Sequence, residues 1–219
     1  MSEIDNFYST KYDEFISRGL VGLVARFTHK SLERNILRIS HNKKEDVLEI
    51  GAGNGQHIRY VSENFNTYTM TDIRPEMLPK QVGQGIKIIS SSINAESLPF
   101  QDDSFDRLVA TCLIAHLAHP ENALKEWSRV VKKGGLITIY VPCEPGMLLR
   151  FSQLFITSRK KKRLGIQNPS LAHYKDHLQH YPALKTFIIS QFPVYKKRMY
   201  PIPFFSWNFN LWSVFHIQN

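Results

Sequence analysis

The stretch VLEIGAGNG, residues 47–55, is an apolar run of strand character that stops at Gly51, Gly53 and Gly55. Glycines at this spacing let the chain turn sharply and let a ligand approach the backbone. A helix is expected around residues 56–65, so the glycines stand between a strand and a helix. Asp72 closes the next strand, TYTMTD (67–72). In an open parallel sheet an acid at that place meets ribose hydroxyls at the carboxyl edge of the strands. Gln56 stands where the dinucleotide fingerprint needs a third glycine. No Lys-Ser/Thr pair follows, which excludes a nucleoside-triphosphate P-loop.

Outward from this loop the pattern repeats. Strands are expected at IKIISSSI (86–93), DRLVATCL (106–113) and LITIYV (136–141). PENALKEWSRVV (120–131) reads as a helix that Lys132-Lys133-Gly134-Gly135 terminates with cations and glycine. This alternation predicts an α/β fold: a Rossmann-like, mostly parallel sheet with helices on both faces. Residues 4–40 read as helical, with Leu20, Leu23, Val24, Phe27, Leu32, Ile36 and Leu37 at near-helical spacing. Residues 145–158 place Met147, Leu148, Phe151, Leu154 and Phe155 on one helical face, directly before RKKKR (159–163). PVYKKRMYPI and LWSVFHI, joined by a Pro- and aromatic-rich turn, read as an antiparallel pair that brings the sheet to seven strands. One domain is expected: a helical cap (1–45), a ligand-binding core (46–143), a basic lid (144–188) and a C-terminal hairpin (189–219).

With 219 residues, 42% hydrophobic and 21% charged, the chain has ordinary globular composition, which excludes a disordered, collagenous or coiled-coil protein. Two cysteines, Cys112 and Cys143, cannot build a disulfide framework or a four-thiolate zinc site. No apolar run approaches the roughly 20 residues of a spanning helix, and the N-terminus lacks a leader pattern, so a cytoplasmic chain is expected. The net charge of +9 is localised. Residues 1–143 hold 17 basic and 17 acidic residues; residues 144–219 hold 11 basic residues against Glu144 and Asp176 alone. Such asymmetry points to a region that meets something anionic, or to a solvated face.

The ordered set of motifs resembles the class I S-adenosylmethionine-dependent methyltransferases, particularly the small-molecule and lipid-quinone type. VLEIGAGNG is similar to the family's first motif, MTDIRPEML to its ribose-binding segment, NAESLPFQDDSFDRLVA to its adenine-side loop and fourth strand, and LKEWSRVVKKGGLITIYVP to the helix and strand that close its core. The resemblance implies S-adenosylmethionine as cofactor. Glu49, Gly51, Ala52, Gly53 and Gly55 would line its methionine and ribose portion, and Asp72 would take the ribose hydroxyls. Ile73 would pack on adenine, and Asn94, where the family often has Asp, would contact the adenine amino group between Ala95 and Glu96. Cys112 and Leu113 would face the sulfonium. Tyr8 and Tyr12, four apart on a helix, resemble the aromatic residues that cover the cofactor in such enzymes.

Methyl transfer from a sulfonium is an in-line displacement that depends mainly on positioning, with a base required for a hydroxyl acceptor. His116, after the fourth strand, is the candidate base; the family often shows His-His where this chain has Ala115-His116. In HYKDHLQHY, His173, Tyr174 and His177 are candidate acceptor contacts, together with Lys160, Lys161 and Lys162 of the basic run. His173, His177 and His180 share a helical spacing, but Asp176 is the one carboxylate in that stretch, so no metal is expected. Three readings compete: methylation of a small-molecule or lipid-linked, anionic acceptor; RNA methylation with the basic tail on phosphates; and a non-catalytic binding protein. Under the first, residues 145–163 would lie peripherally on an anionic inner-membrane surface.

Overall fold

In the computed structural model of the chain, residues 3–34, 44–61 and 65–219 are described. Seven strands form one sheet in the order β3-β2-β1-β4-β5-β7-β6. They are β1 (Glu45–Ile50), β2 (Phe65–Thr71), β3 (Ile86–Ile88), β4 (Phe105–Ala110), β5 (Val131–Pro142), β6 (Tyr195–Tyr200) and β7 (Trp212–Gln218). β1 to β5 run parallel, whereas β7 is antiparallel to both β5 and β6. The Rossmann-like sheet and its terminal antiparallel pair are as the sequence predicts.

Strand alternation divides the core into two layers. Leu48, Ile50, Leu108, Ala110, Ile137, Ile139, Phe215 and Ile217 point to one face, where they pack with α4 (Pro120–Val130) and α8 (Tyr181–Gln191). α4 forms because Pro120 opens it, Glu121 sits in its first turn and Arg129 in its last, and Ala123, Leu124, Trp127 and Val130 fall on one side. Val47, Tyr68, Met70 and Val109 point to the other face, and Tyr140, Trp212 and Val214 join it further along, under Val24 and Leu32 of α3 (Gly19–Glu33). α8, with Tyr181, Leu184 and Ile188 buried, is therefore a core helix.

Several boundaries differ from the sequence reading. The N-terminal helical region is three helices, α1 (Glu3–Thr10), α2 (Tyr12–Ser17) and α3. Ile36 and Leu37 lie outside the described residues. The helix expected at 56–65 is a single 3₁₀ turn, His57–Tyr60, followed by extended Val61; residues 62–64 lie outside the described residues. Lys132 to Gly135 do not cap α4. Val131 already pairs with Phe105, and the register then jumps so that Leu136 meets Arg107, leaving 132–135 as a bulged tongue with Gly134 at φ 77°. β3 stops at Ile88 because it is an edge strand paired only with β2. Residues 147–163 form one helical run, α5 (Met147–Ser152), a π-helical turn (Gln153–Thr157) and α6 (Ser158–Arg163), ahead of α7 (Pro169–Asp176). The π turn adds residues per revolution and rotates everything after it relative to the 3.6-residue pattern.

α3 is pinned to the sheet by a buried charge cluster that periodicity does not reveal. Arg107, 2% exposed in β4, donates to Glu33 at 3.2 and 2.5 Å, and His57 Nε2 lies 2.9 Å from the same carboxylate. Burial alone would raise the Glu33 pKa, but Arg107 and His57 outweigh it and bring the group from 4.5 down to about 2. A depressed carboxylate stabilises the fold fully above its unfolded value and loses that contribution as pH falls through about 2. Glu33→Ala leaves Arg107 buried without its partner and is expected to lower unfolding stability by about 3–5 kcal/mol in urea titrations at pH 7. Its deficit against wild type should shrink below pH 4. A loss under about 1 kcal/mol at pH 7 would show that the cluster does not anchor α3.

Candidate functional site

β1 and β4 are neighbours in the sheet, yet the chain leaves β1 toward β2 on one side and reaches β4 from the other. A crevice opens at such a switch point, outside the carboxyl ends of the strands. Here it is a cleft of about 340 Å³ between the loops after β1, β2 and β4, roofed by α1, α2 and the end of α7.

The glycine loop forms its floor. Gly51 and Gly53 take φ of 67° and 52°, values that side-chain-bearing residues rarely adopt. A Cβ on Gly51 would fall 3.1 Å from Leu113, whereas one on Gly53 would meet only Met77, at 3.8 Å. Backbone is thus laid open to the cleft at Gly53. Asp72, buried at the end of β2, accepts from Gly53 N at 2.9 Å with Oδ2 and from Arg74 N at 2.9 Å with Oδ1. Each oxygen keeps a second lone pair, a pair of acceptors that suits two adjacent hydroxyls. Ile73 beside it is 57% exposed, an apolar face with no protein cover. Asn94 Oδ1 accepts from Glu96 N at 2.9 Å, and Trp127 Nε1 donates to Ala95 O at 3.0 Å, so the loop after β3 is held in shape. An acid with two free acceptor positions, an open backbone and an exposed apolar face fit the ribose and adenine of S-adenosylmethionine.

Of the residues singled out in the sequence, Tyr8, Tyr12, Gly51, Gly53, Asp72, Ile73, Asn94, Ala95, Cys112, Leu113 and His116 line this cleft. Glu49, Ala52, Gly55 and Glu96 do not. Glu49 alternates with Ile50 and so points to the opposite face, fully buried, where Tyr68 Oη donates to it at 2.8 Å. Burial raises its pKa. Gly55 closes the turn onto Ala52 O and is packed against Pro79 and Met70, and Glu96 accepts from His119 N. Cys112 sits at φ 51° as the chain leaves β4, exposed at the cleft.

Beyond the floor stands a polar relay. His116 Nδ1 is 2.9 Å from the Asp176 carbonyl oxygen and 3.3 Å from its carboxylate Oδ1. Both are acceptors, so Nδ1 carries the proton and Nε2 of the neutral ring holds a lone pair. Tyr8 Oη donates to the other oxygen of Asp176. Burial would raise the Asp176 pKa, but the bonds from His116 and Tyr8 overcome it and hold the carboxyl far below its ordinary value. His177 meets the His116 ring edge-on, 4.4 Å between centroids. Its Nδ1 lies 3.0 Å from Glu144, which is 3.0 Å from His173 as well. Burial lowers the His177 pKa to about 4.

His173 and His177 are therefore turned toward Glu144, while exposed His180 precedes α8. Tyr174 and Lys161 border a smaller cavity beside α5 and α7. Lys160 donates to the Phe15 and Arg18 carbonyls at 2.6 Å, Lys161 lies over the Phe7 and Phe15 rings, and Lys162 stays exposed. Sequence reasoning missed Glu144, and noted Asp176 only as a neighbour of histidines. The available signal was that these are the two acids in a segment of 11 basic residues.

Residues 48–139 match the model of a methyltransferase domain. An uncharacterized protein of Methanocaldococcus jannaschii, MJ1123, is 30% identical over 132 residues, covering 60% of this chain and 58% of that protein. The ubiquinone/menaquinone biosynthesis C-methyltransferase UbiE of Neisseria meningitidis is 27% identical over 71% of this chain and 61% of its own length. The chain thus spans under two thirds of either relative. In fold it is similar to a SAM-dependent methyltransferase from Thermotoga maritima, with a TM-score of 0.61, 20% identity and full coverage of both chains.

Asp72→Ala should weaken S-adenosylmethionine binding, measured by calorimetry, by roughly 10- to 150-fold, the equivalent of a lost charged hydrogen bond of about 1.5–3 kcal/mol. A change below about threefold would remove Asp72 from the ligand site.

Proposed function

We propose that the chain transfers a methyl group from S-adenosylmethionine to a small, anionic, lipid-linked acceptor, with His116 as general base; the match of residues 48–139 to a methyltransferase domain supports this reading. The observation that carries this reading is the relay Tyr8–Asp176–His116, which borders the same cleft as Asp72 and the glycine loop. The cofactor supplies an electrophilic methyl whose leaving group needs no proton. The chain's residues do the rest. Asp72 and the Gly53 backbone fix the ribose, Ile73 and Asn94 border the adenine, and Tyr8 and Tyr12 cover the cleft from the cap. His116 Nε2 takes the acceptor's proton, and Asp176, holding Nδ1, keeps the ring in the tautomer that can do so and stabilises the imidazolium formed.

The lipid-linked character rests on the surface of the helical run 147–163. Met147, Phe151, Leu154 and Phe155 are exposed at 64, 58, 60 and 47%. Leu20 of α3 and Phe155 border one groove, together with Arg159 and Arg163. Apolar side chains flanked by cations suit the interface of an anionic bilayer, where each basic residue adds about 1 kcal/mol. No described helix is long and apolar enough to cross a membrane. An RNA-gripping tail is less well supported, because Lys160 and Lys161 of the basic run face the cap rather than solvent.

The test is transfer of radiolabelled methyl into a fractionated extract of the source cells, where label is expected in the organic phase. His116→Ala should retain cofactor binding within about threefold and lower the labelling rate by at least about 100-fold, the scale of a lost general base. An unchanged rate would remove His116 from the chemistry, and label in RNA would overturn the acceptor class. Replacing Phe151, Leu154 and Phe155 by Ser should abolish sedimentation with phosphatidylglycerol vesicles; sedimentation that persists would contradict the membrane-surface face.

A further inference from the structure

Glu144, His173 and His177 converge from two distant parts of the chain. Glu144 follows β5 and is 5% exposed. His173 lies in α7 and His177 directly after it, one helical turn along, so both rings reach the same carboxylate. His173 Nε2 is 3.0 Å from Oε1, and His177 Nδ1 is 3.0 Å from Oε2. Gln153, at the start of the π-helical turn, adds a fourth group. Its amide nitrogen position is 3.0 Å from both Glu144 Oε1 and His173 Nε2.

With Glu144 ionised, no placement of protons satisfies the last three atoms together. If His173 Nε2 carries its proton toward Glu144, it confronts the amide donors of Gln153. If Nε2 instead accepts from Gln153, its lone pair confronts the carboxylate oxygen. If the Gln153 amide is flipped, its oxygen confronts that same carboxylate. With the Gln153 amide oxygen turned inward, Gln153, Glu144 Oε1 and His173 Nε2 are three mutually close acceptors, and with His177 as a fourth they form the donor set of a cation. One ligand atom from each of Glu144, His173 and His177 lies within 4.8 Å of the others. Ligands around a tetrahedral zinc at about 2.1 Å lie about 3.4 Å apart, inside the 4.8 Å within which these atoms fall.

We propose that Glu144, His173 and His177, with the Gln153 side-chain oxygen as fourth ligand, bind a divalent transition-metal ion of the zinc class. Two imidazoles and a carboxylate favour such an ion over magnesium or calcium, which take oxygen ligands. The ion fastens α7 and the π-helical turn to the end of β5. It thereby sets the position of Asp176, which lies beside His177 in the chain and holds His116. The site does not depend on methyl transfer: its loss would leave the ligand set at Asp72 as it stands.

The experiment is a Co²⁺ titration of the full, chelator-stripped chain, read by visible d–d absorption, with Zn²⁺ competition and thermal unfolding alongside. A saturable band at one Co²⁺ per chain, displaced by Zn²⁺, is expected. H173A and H177A should each weaken binding at least about tenfold, and H180A, at the exposed histidine nearby, should leave it unchanged. Gln153→Glu keeps the ligand oxygen and places a second carboxylate against Glu144, so it should lower Tm without metal and regain it with Zn²⁺. This last variant keeps the test decisive where a histidine variant does not fold. Absence of a band, binding that H180A abolishes, or a Q153E Tm that Zn²⁺ does not raise would each overturn the site.

Discussion

The carboxylate of Asp176 joins three segments that are far apart in the chain. Tyr8 reaches it from the cap, His116 from the turn after β4, and the acid itself ends α7. Each bond is made by a group drawn at least partly out of water. A neutral partner in place of the carboxylate would leave two donors poorly matched in a low-dielectric setting. The roof of the cleft and the orientation of its one candidate base therefore depend on the same side chain. The carboxylate that holds Tyr8 of the cap with one oxygen faces His116 Nδ1 with the other, so cap position and His116 tautomer are coupled.

The sheet determines where this can happen. β1 and β4 diverge at the switch point, and the glycine loop and Cys112 leave the sheet there in backbone conformations rare for side-chain-bearing residues. Strain of this kind persists where the surrounding structure over-determines it, and it clusters at ligand sites. Behind the floor, Glu49 ties β1 to Tyr68 of β2 without reaching the cleft. On the same face of the sheet, Glu33 and Arg107 hold α3 in place. Buried acids thus serve as links between elements throughout the fold, each matched by a donor from another segment.

What was legible in the sequence is what local spacing dictates. Glycines after a strand and an acid ending the next strand specify the floor of the cleft, and both stand where expected. The antiparallel pair was readable from two β-rich runs around a Pro- and aromatic-rich turn. The misplacement of Glu49 shows that motif position alone is weaker than strand parity: its neighbour Ile50 lines the cleft, so Glu49 must face away. Lys160 and Lys161 are expected as acceptor contacts because cations suit an anionic acceptor, yet Lys160 bonds the Phe15 and Arg18 carbonyls and Lys161 lies over the Phe7 and Phe15 rings. The π-helical turn at Gln153–Thr157 rotates the basic run toward the cap. Glu144 meeting His173 and His177 is a contact across about thirty residues that no periodicity encodes. The same is true of Arg107, a cation inside a strand, whose partner lies at the end of α3.

The basic tail consequently has two distinct parts. Its two acids and two of its histidines form an interior network that fixes the segment over the cleft. Its outward cations and exposed aromatic residues form a surface suited to an anionic, amphipathic partner. On the proposed reading the cleft at the β1/β4 switch point holds S-adenosylmethionine beside His116. A crystal structure of the chain grown with S-adenosylhomocysteine is expected to show ribose hydroxyls on Asp72, adenine against Ile73, and the sulfur directed toward the end of the cleft that His116 borders. A ligand bound elsewhere, or lying in the cleft with its sulfur directed away from His116, would contradict that reading.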